Sequence, residues 1–146
     1  MSGYDYTGKV MLVTGGAGGI GSALCRRFAI GGAVCVVVDI DGERARRVAD
    51  TLPGAGHLGL GCDLLDRAAV ADLFERVAAA FGRLDVLVNN VGMTSTERFD
   101  VRPVETIERE IDLNMTSPLV ATRLAKGLAT AQAADGAANG TRPETK

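Results

Sequence analysis

Residues 14–21 read Thr14-Gly15-Gly16-Ala17-Gly18-Gly19-Ile20-Gly21, and they lie between a short apolar run at 10–13 and a segment with helical periodicity. Glycines suit this position because the chain must turn sharply from a strand into a helix. A pyrophosphate can also approach bare backbone N–H groups at the positively polarised end of that helix. The stretch therefore predicts a nucleotide phosphate site, which we call the Gly-rich loop (residues 14–21).

The glycine spacing within the Gly-rich loop fits three nucleotide-binding patterns. Gly16, Gly18 and Gly21 fit G-x-G-x-x-G. Gly15 with Gly18 and Gly21 fits T-G-x-x-G-x-x-G, whereas Gly15 with Gly19 and Gly21 fits T-G-x-x-x-G-x-G. The spacing does not choose between these patterns. A glycine-rich turn without a ligand is the alternative, but a strand before the loop and a helix after it favour a nucleotide.

Composition narrows the class of protein. The 146 residues suit one domain, and the net charge of -2 comes without a basic block, so we expect neither nucleic-acid nor membrane binding. Apolar runs are too short to span a membrane and residues 1–7 do not resemble a signal peptide, which indicates a cytoplasmic protein. One histidine, His57, and three cysteines without a C-x-x-C pair predict neither a disulfide frame nor a metal site.

Short apolar runs alternate with segments of helical periodicity in the first two thirds of the chain. Runs that are short and apolar throughout indicate strands buried on both faces of a parallel sheet. The alternation predicts an α/β fold with a doubly wound, Rossmann-like parallel sheet, with the expected strand order 3-2-1-4. The expected strands are 9–13, 33–39, 57–62 and 85–89.

Helical spacing also predicts which faces are buried. Asp66 is expected to cap the third helix. The apolar stripe of that helix comprises Val70, Leu73, Phe74, Val77 and Phe81. The apolar face of the first helix is expected to comprise Ile20, Ala23, Leu24 and Phe28.

The second expected strand ends in a carboxylate, Asp39. In a dinucleotide fold an acid at this distance from the glycines accepts hydrogen bonds from the ribose hydroxyls of adenosine, and its charge repels a 2′-phosphate. Residues 39–42, Asp-Ile-Asp-Gly, also have the composition of a surface turn, in which Asp39 would need no ligand. The two interpretations are compatible, and the spacing favours the ribose contact.

The chain resembles the short-chain dehydrogenase/reductase family. That family's cofactor loop, T-G-x-x-x-G-x-G, is matched by Gly15, Gly19 and Gly21, and its N-N-A-G signature by residues 89–92 with Val91 in place of Ala. The signature favours the ordinary dehydrogenase branch over the sugar-epimerase-like branch, which shares the T-G-x-x-G-x-x-G spacing.

The resemblance implies a bound NAD and a small-molecule alcohol or ketone substrate. It implies that Asp39 selects NAD and that Asp63 contacts the adenine. The cofactor-binding residues implied are Gly15, Gly18, Gly19, Ile20, Gly21, Asp39, Ile40, Asp63, Leu64, Asn90, Val91 and Gly92.

A long helical segment is expected from about residue 105 to residue 129. Pro118 has no N–H to give to the carbonyl of Asn114, so this oxygen is free to hold a water. The resemblance implies that Asn114 is the catalytic asparagine, whose backbone oxygen anchors a proton-relay water. A polar patch with a kink is the alternative.

The resemblance extends to about Lys126 and covers the amino-terminal, cofactor-binding part of the family's domain. We therefore expect a truncated NAD(P)-binding Rossmann-like domain at 1–130 and a disordered tail at 131–146. The family's catalytic Ser and Tyr-x-x-x-Lys have no match here, since the only tyrosines, Tyr4 and Tyr6, precede the first strand.

The resemblance implies an NAD-dependent oxidoreductase that transfers hydride between nicotinamide and a secondary alcohol or ketone. This chain would supply cofactor binding and be inactive alone. A non-catalytic NAD-binding sensor and one segment of a split or partnered reductase are the alternatives. The expected edge strand at 85–89 is apolar, so a homo-oligomer or a partner that completes the sheet is expected.

Overall fold

The computed structural model describes residues 4–138, and the side chains of residues 4–128. Within these residues the sheet has four strands, which are β1 (Val10–Thr14), β2 (Val34–Asp39), β3 (Leu58–Gly61) and β4 (Val86–Val88). All neighbouring strands are parallel, and their order across the sheet is β3-β2-β1-β4. The doubly wound sheet and its strand order are thus confirmed.

The strands alternate with helices. These are α1 (Gly19–Ile30), α2 (Gly42–Asp50), α3 (Arg67–Phe81), α4 (Val104–Ile111) and α5 (Ser117–Ala138). A 3-10 turn at Phe99–Val101 precedes α4, and a π-helical turn at Asp112–Thr116 joins α4 to α5. No helix between residues 4 and 138 is both long and apolar enough to cross a membrane.

Helix α5 continues to Ala138, past the boundary at residue 130 that the sequence suggested. The rest of the expected tail, 139–146, lies outside the described residues.

Different helices cover the two faces of the sheet. On one face Val10 and Leu12 of β1 belong to a buried cluster with α3 and with Ala121 of α5. On the other face Val13 belongs to a cluster formed with α1 and α2. Because successive residues of a strand point to opposite faces, a strand covered on both faces is apolar at every position. This explains the uninterrupted apolar runs of β1 and β2.

The buried face of α1 differs from the sequence prediction. Its buried residues are Gly21, Cys25 and Ala29, whereas Ile20 is 74% exposed. Ala23 is also exposed, and Leu24 and Phe28 are half-buried. Small residues four apart let the helix axis approach the sheet closely, so α1 packs through its smallest side chains rather than its largest ones.

Helix α3 follows the sequence prediction closely. The side chain of Asp66 accepts hydrogen bonds from the N–H groups of Ala68 (2.9 Å) and Ala69 (3.1 Å), which confirms it as the N-cap. Phe81 is half-buried and packs against the core. The fully buried part of the stripe consists of Val70, Leu73, Phe74 and Val77.

His57 joins the α2–β3 connection to β2. Its Nδ1 accepts the N–H of Cys35 (3.0 Å), so Nε2 carries the proton and donates to the carbonyl of Pro53 (3.0 Å). Cys35 is fully buried, and burial raises the pKa of its thiol to about 11. His57 and this cysteine therefore hold the fold together, and neither is available as a nucleophile or base.

Asp85 ties the first residue of β1 to the segment that leads into β4. One carboxylate oxygen accepts the N–H of Val10 (2.9 Å) and the Nε–H of Arg83 (2.9 Å), and the other accepts from Nη2 of Arg83 (2.6 Å) and Nζ of Lys9 (3.4 Å). Hydrogen bonds from Arg83 are the largest cause that lowers the pKa of Asp85, from 3.8 to about 2. The ionised form is thus favoured by folding.

We expect Asp85→Asn to lower the free energy of unfolding at pH 7 by up to about 2 kcal/mol. Because the folded-state pKa lies below the unfolded one, this stabilisation is complete above pH 3.8 and is lost as the pH falls towards about 2. Urea unfolding of both proteins across this range measures the difference. Asp72→Asn, at an exposed pair with Arg76, is the matched control and should change stability by less than about 0.5 kcal/mol. A deficit for Asp85→Asn that stayed constant down to pH 2 would contradict the charge-based explanation.

Candidate functional site

The Gly-rich loop leaves the carboxyl end of β1 and turns at once into α1. Gly15 has φ +62°, a left-handed backbone conformation that residues other than glycine rarely adopt. The loop is held by backbone hydrogen bonds from Gly16 N–H to Val38 O (2.8 Å) and from Gly18 N–H to Gly15 O (3.1 Å). The first of these joins the loop to the end of β2.

The first turn of α1 packs directly against the loop backbone at Gly21. A Cβ at this position would lie 2.1 Å from the carbonyl oxygen of Gly15, closer than any side chain permits. Gly19 faces the other way, since a Cβ there would meet nothing within 4 Å. The N-cap is Gly18, and the first turn has no acidic residue. The start of α1 therefore presents backbone N–H groups to open space, as an anion site requires.

Thr14 and Asn90 join the ends of β1 and β4. The hydroxyl of Thr14 donates to Val88 O (3.3 Å) and accepts the N–H groups of Asn90 (3.0 Å) and Val91 (3.3 Å). The side-chain amide of Asn90 donates in return to Thr14 O (3.0 Å) and Gly15 O (3.3 Å). This pairing positions the N-N-V-G segment beside the Gly-rich loop.

Asp39 ends β2 and contacts the same loop. Its Oδ2 accepts the N–H of Ala17 (3.1 Å), and its Oδ1 accepts the N–H of Asp41 (3.2 Å). Each carboxylate oxygen keeps a second lone pair for another donor. Two backbone N–H groups thus hold the Asp39 carboxylate in place, and the carboxylate can still accept further hydrogen bonds.

The chain after β3 contributes Cys62 and Asp63. The Oδ1 of Asp63 accepts the N–H of Leu65 (2.9 Å), and this hydrogen bond shapes the turn after β3. The side chain of Asp63 is exposed. Burial raises the pKa of Cys62 to about 11, and the negative charge of Asp63 adds to this effect. The side chain of Cys62 is therefore a neutral thiol that contributes apolar surface, not a thiolate.

One cavity of about 520 Å³ lies at the carboxyl ends of all four described strands, a volume in the range of small-ligand sites. All twelve residues that the sequence assigned to cofactor binding line it, from Gly15 to Gly92. Five further lining residues were not assigned by sequence, namely Val38, Cys62, Leu65, Arg109 and Leu113. Arg109 and Leu113 are four residues apart, so their shared helical spacing within the expected helix at 105–129 is the signal that could have found them.

Asn114 is outside this lining and holds the chain that follows β4. Its Oδ1 accepts the N–H of Met93 (2.9 Å) and its Nδ2 donates to Met93 O (2.7 Å). It lies within the π-helical turn, where the regular bonding of an α-helix is interrupted. The side chain of Asn114 is therefore engaged in positioning Met93, which leaves its backbone carbonyl as the group for any other contact.

Arg67 and Ser117 connect the β3–α3 turn to the π-helical turn. Ser117 is 1% exposed, and its hydroxyl lies 2.9 Å from both Leu64 O and Asp112 O. Arg67 donates to Leu64 O (2.9 Å) and to the Ser117 hydroxyl (3.0 Å), and it pairs with the Asp112 carboxylate. Two walls of the cavity are thus fastened together.

The segment 93–97 is held at a second place by a half-buried ion pair. Arg102 pairs with Glu110 (3.1 Å) and donates to the carbonyls of Ser95 and Glu97 (both 2.9 Å). Glu110 in turn accepts the N–H of Ser95. Together with Asn114, this pair fixes the course of the chain after β4.

Comparison with known proteins finds a family match over most of the chain. The family model described as short chain dehydrogenase matches residues 9–136. An uncharacterized oxidoreductase of Bacillus subtilis, YuxG, is 41% identical over 115 residues, which are 76% of this chain and 16% of that protein. A short chain dehydrogenase/reductase of Macrophomina phaseolina, dpmpG, is 37% identical over 129 residues, 83% of this chain and 71% of that protein.

Solved structures agree with the sequence matches. A 3-ketoacyl-(acyl-carrier-protein) reductase from Brucella melitensis complexed with NADH is similar at a TM-score of 0.76 and 34% identity. The match covers 82% of this chain and 49% of that one, so the present chain spans about half of the solved structure.

Gly21 and Gly19 form a matched pair for testing the loop. We expect Gly21→Ala to lower the free energy of unfolding by more than about 2 kcal/mol, because its methyl group collides with the carbonyl of Gly15 and the backbone must shift. Gly19→Ala should keep or raise stability by up to about 1 kcal/mol, because its methyl group meets open space and Ala favours a helix. Thermal and urea unfolding compare the two. Equal stabilities would mean that α1 does not pack on the loop as described.

Proposed function

Because this chain belongs to the short-chain dehydrogenase family, we propose that it binds NAD(H) as the cofactor part of an oxidoreductase acting on a secondary alcohol or ketone. When bound, the nicotinamide supplies or accepts the hydride. The residues of this chain bind and orient the cofactor. The NADH reported with the Brucella melitensis reductase supports this cofactor class.

The observation that carries the proposal is the cavity at the carboxyl ends of the strands. Its floor contains the uncapped start of α1, where Gly19 leaves room and backbone N–H groups can meet a pyrophosphate. Its lining includes Asp39 at one side and the N-N-V-G segment at another. Ligands of open α/β sheets bind in such a crevice. These residues fit a dinucleotide.

Asp39 supports a preference for NAD over NADP. Its carboxylate is anchored by Ala17 and Asp41 and has acceptor capacity left for ribose hydroxyls. A 2′-phosphate would bring a second negative charge close to it. We assign Asp39 to the adenosine ribose on this basis.

Asp63 and its neighbours suit the adenine end. Leu64 and Leu113 supply apolar surface in the cavity, and the exposed carboxylate of Asp63 can accept from the adenine amino group. Arg109 lies on the same helical stripe as Leu113 and can stack its guanidinium on an aromatic ring. We propose that these four residues hold the adenine.

Asn114 is proposed to hold the relay water through its backbone carbonyl. Pro118 lacks the N–H that an α-helix would direct at this oxygen, and the side chain of Asn114 is engaged with Met93. A carbonyl whose residue four positions on is a proline receives no α-helical hydrogen bond and keeps acceptor capacity for a water.

The proton donor for the carbonyl group of the substrate is proposed to lie outside this sequence. Tyr6 bonds through its N–H to Gly31 O and packs edge-on against Phe28, and Tyr4 stacks on Tyr6. Both tyrosines therefore lie beside the end of α1, and the Gly-rich loop is at the other end of that helix.

We also propose that another polypeptide, either a second copy or a partner that completes the sheet, covers two exposed apolar surfaces, which are the outer side of β4 and a row on α4 to α5. Val86 is 36% exposed although it lies in an apolar strand. An exposed apolar row runs from α4 through the π-helical turn into α5. It comprises Ile111, Met115 and Leu119, which are 53%, 63% and 67% exposed. Exposed apolar rows of this kind mark association surfaces.

We expect NADH to bind several times more tightly than NADPH, because of the charge of Asp39. Asp39→Asn should shift the ratio of the two dissociation constants by about tenfold in favour of NADPH, since it removes the repulsion and keeps the shape of the side chain. Enhancement of NADH and NADPH fluorescence measures both affinities. Asp50→Asn, at the far end of α2, is the control and should leave the ratio unchanged. Tighter binding of NADPH by the unaltered protein would refute the assignment of Asp39.

We expect the chain to associate in solution, giving a mass above its own 15.1 kDa. Leu119→Lys should reduce the apparent mass, because a charge is costly to bury in an apolar contact. Glu75→Lys on α3 is the control. Size-exclusion chromatography with light scattering provides the measurement. A compact monomer with a cooperative melt would show that the outer side of β4 needs no cover.

A further inference from the structure

The π-helical turn at Asp112–Thr116 is held at both of its ends by side chains. The N–H of Ser117, which an α-helix would direct to Leu113 O, donates to Asp112 O instead. The Ser117 hydroxyl is 2.9 Å from the same oxygen. Arg67, at the start of α3, donates to this hydroxyl (3.0 Å) and pairs with the Asp112 carboxylate. One guanidinium from another helix therefore bridges the first residue of the turn and the residue that follows it.

The register of this turn decides how α4 is rotated relative to α5. Hydrogen bonds in a π-helical turn span one residue more than those of an α-helix, so a return to α-helical bonding would rotate α4 by about 100° about the helix axis. Helix α5 is fixed by Ala121, which is buried in one cluster with residues of β1 and α3. The rotation would therefore displace α4, and the two hydrogen bonds between Asn114 and Met93 (2.9 and 2.7 Å) would not survive it.

We propose that Arg67 is a positioning residue, which acts through Ser117 and Asp112 to keep the turn in its π-helical register. This register in turn keeps Asn114 in contact with Met93. The inference rests on the proposed function, because it takes the carbonyl of Asn114 as the group that holds the relay water. In this role Arg67 determines where that carbonyl lies and takes no part in proton transfer itself.

The place of Arg67 is unfavourable for its own helix. It is the first residue of α3, where the helix dipole disfavours a cation, and the first turn has no acidic residue. Its contacts instead lead across to the π-helical turn and to Leu64 O (2.9 Å). Three acceptors in different segments suit a planar guanidinium with five N–H donors, whereas an ammonium has a single nitrogen. The contacts outside α3 therefore explain an arginine at this position.

The Ser117 hydroxyl links the turn to the wall of the cavity. It is buried and lies 2.9 Å from both Leu64 O and Asp112 O. A hydroxyl has one proton, so it donates to one of these carbonyls while it accepts from Arg67. Because Leu64 lines the cavity, the contacts that hold the turn also hold this part of the lining.

Hydrogen exchange of single amides by NMR, measured on the full chain, separates a local role of Arg67 from a global one. The Ser117 amide reports the π-helical bond, and the Met93 amide reports the bond to Asn114. The Val37 amide, in the buried middle of β2, is the reference for the whole fold.

We expect Arg67→Gln to speed exchange at Ser117 and Met93 by about tenfold and to leave Val37 within about twofold, since charge-assisted hydrogen bonds to the turn are lost. Arg67→Lys should fall between, because it keeps the charge beside the turn but lacks the fork. Arg76→Gln, at an exposed pair on the same helix, is the control and should change none of these rates.

A double variant tests whether Arg67 acts through Ser117. Ser117→Ala should also speed exchange at Met93. Combined with Arg67→Gln, its effect at Met93 should be smaller than the two separate effects together, because residues of one hydrogen-bond network are not independent. Full additivity would show that Arg67 does not act through the hydroxyl and would overturn the inference.

The remaining outcomes separate the inference from the proposed function. Equal acceleration of all these amides in Arg67→Gln would mean that Arg67 only stabilises the whole fold. Unchanged rates at Ser117 and Met93 would mean that the turn keeps its register without Arg67, and either result overturns the inference. Binding of NADH by the unaltered protein is measured separately by fluorescence. If NADH does not bind, the proposed function fails, whereas the exchange rates still decide whether Arg67 holds the turn.

Discussion

The close packing of the first turn of α1 against the chain leaving β1 sets the geometry of the whole site. It requires Gly15 in a left-handed conformation and Gly21 without a Cβ, because 2.1 Å separates that missing atom from the carbonyl of Gly15. The packing brings the uncapped end of α1 to the middle of the sheet, next to the ends of β2 and β4. The uncapped start of the helix and the polar strand ends therefore face one cavity.

Short polar side chains hold the strand ends in place where the hydrogen bonds of the sheet stop. Beyond the last residue of a strand, backbone groups lose their ladder partners and must find others. Thr14 and Asn90 supply them between β1 and β4, Asn114 supplies them to Met93, and Ser117 reaches Leu64. These bonds connect segments far apart in sequence, so they fix the positions of the strand ends relative to the walls of the cavity.

The polar groups of the cavity are unevenly distributed. Beside the Gly-rich loop, Asp39 accepts the N–H of Ala17 and Arg44 donates to the carbonyl oxygen of the same residue. Near Leu64 and Leu113 the surfaces are mainly apolar, with Asp63 and Arg109 at the margin. The start of α1 carries only backbone N–H groups and suits an anion. The segment 93–97, held by Asn114 and the Arg102–Glu110 pair, forms the remaining boundary.

The sequence by itself determined the parallel sheet, its strand order, the Gly-rich loop and the cap at Asp66. The sheet, the loop and the cap depend on local spacing, since a buried strand must be apolar at each position and a cap lies next to the N–H groups whose hydrogen bonds it accepts. The strand order follows from the doubly wound fold class. Every residue assigned to the cofactor also proved to line one cavity, because parallel strands end at the same edge of a sheet. Only the tertiary structure decided which face of α1 is buried. Large apolar residues indicated one face, but close approach at Gly21 selected the face with Cys25 and Ala29. The places of Arg44 beside Ala17 and of Arg109 in the cavity were likewise decided by the packing of whole helices, whose rotation about their axes no local pattern specifies.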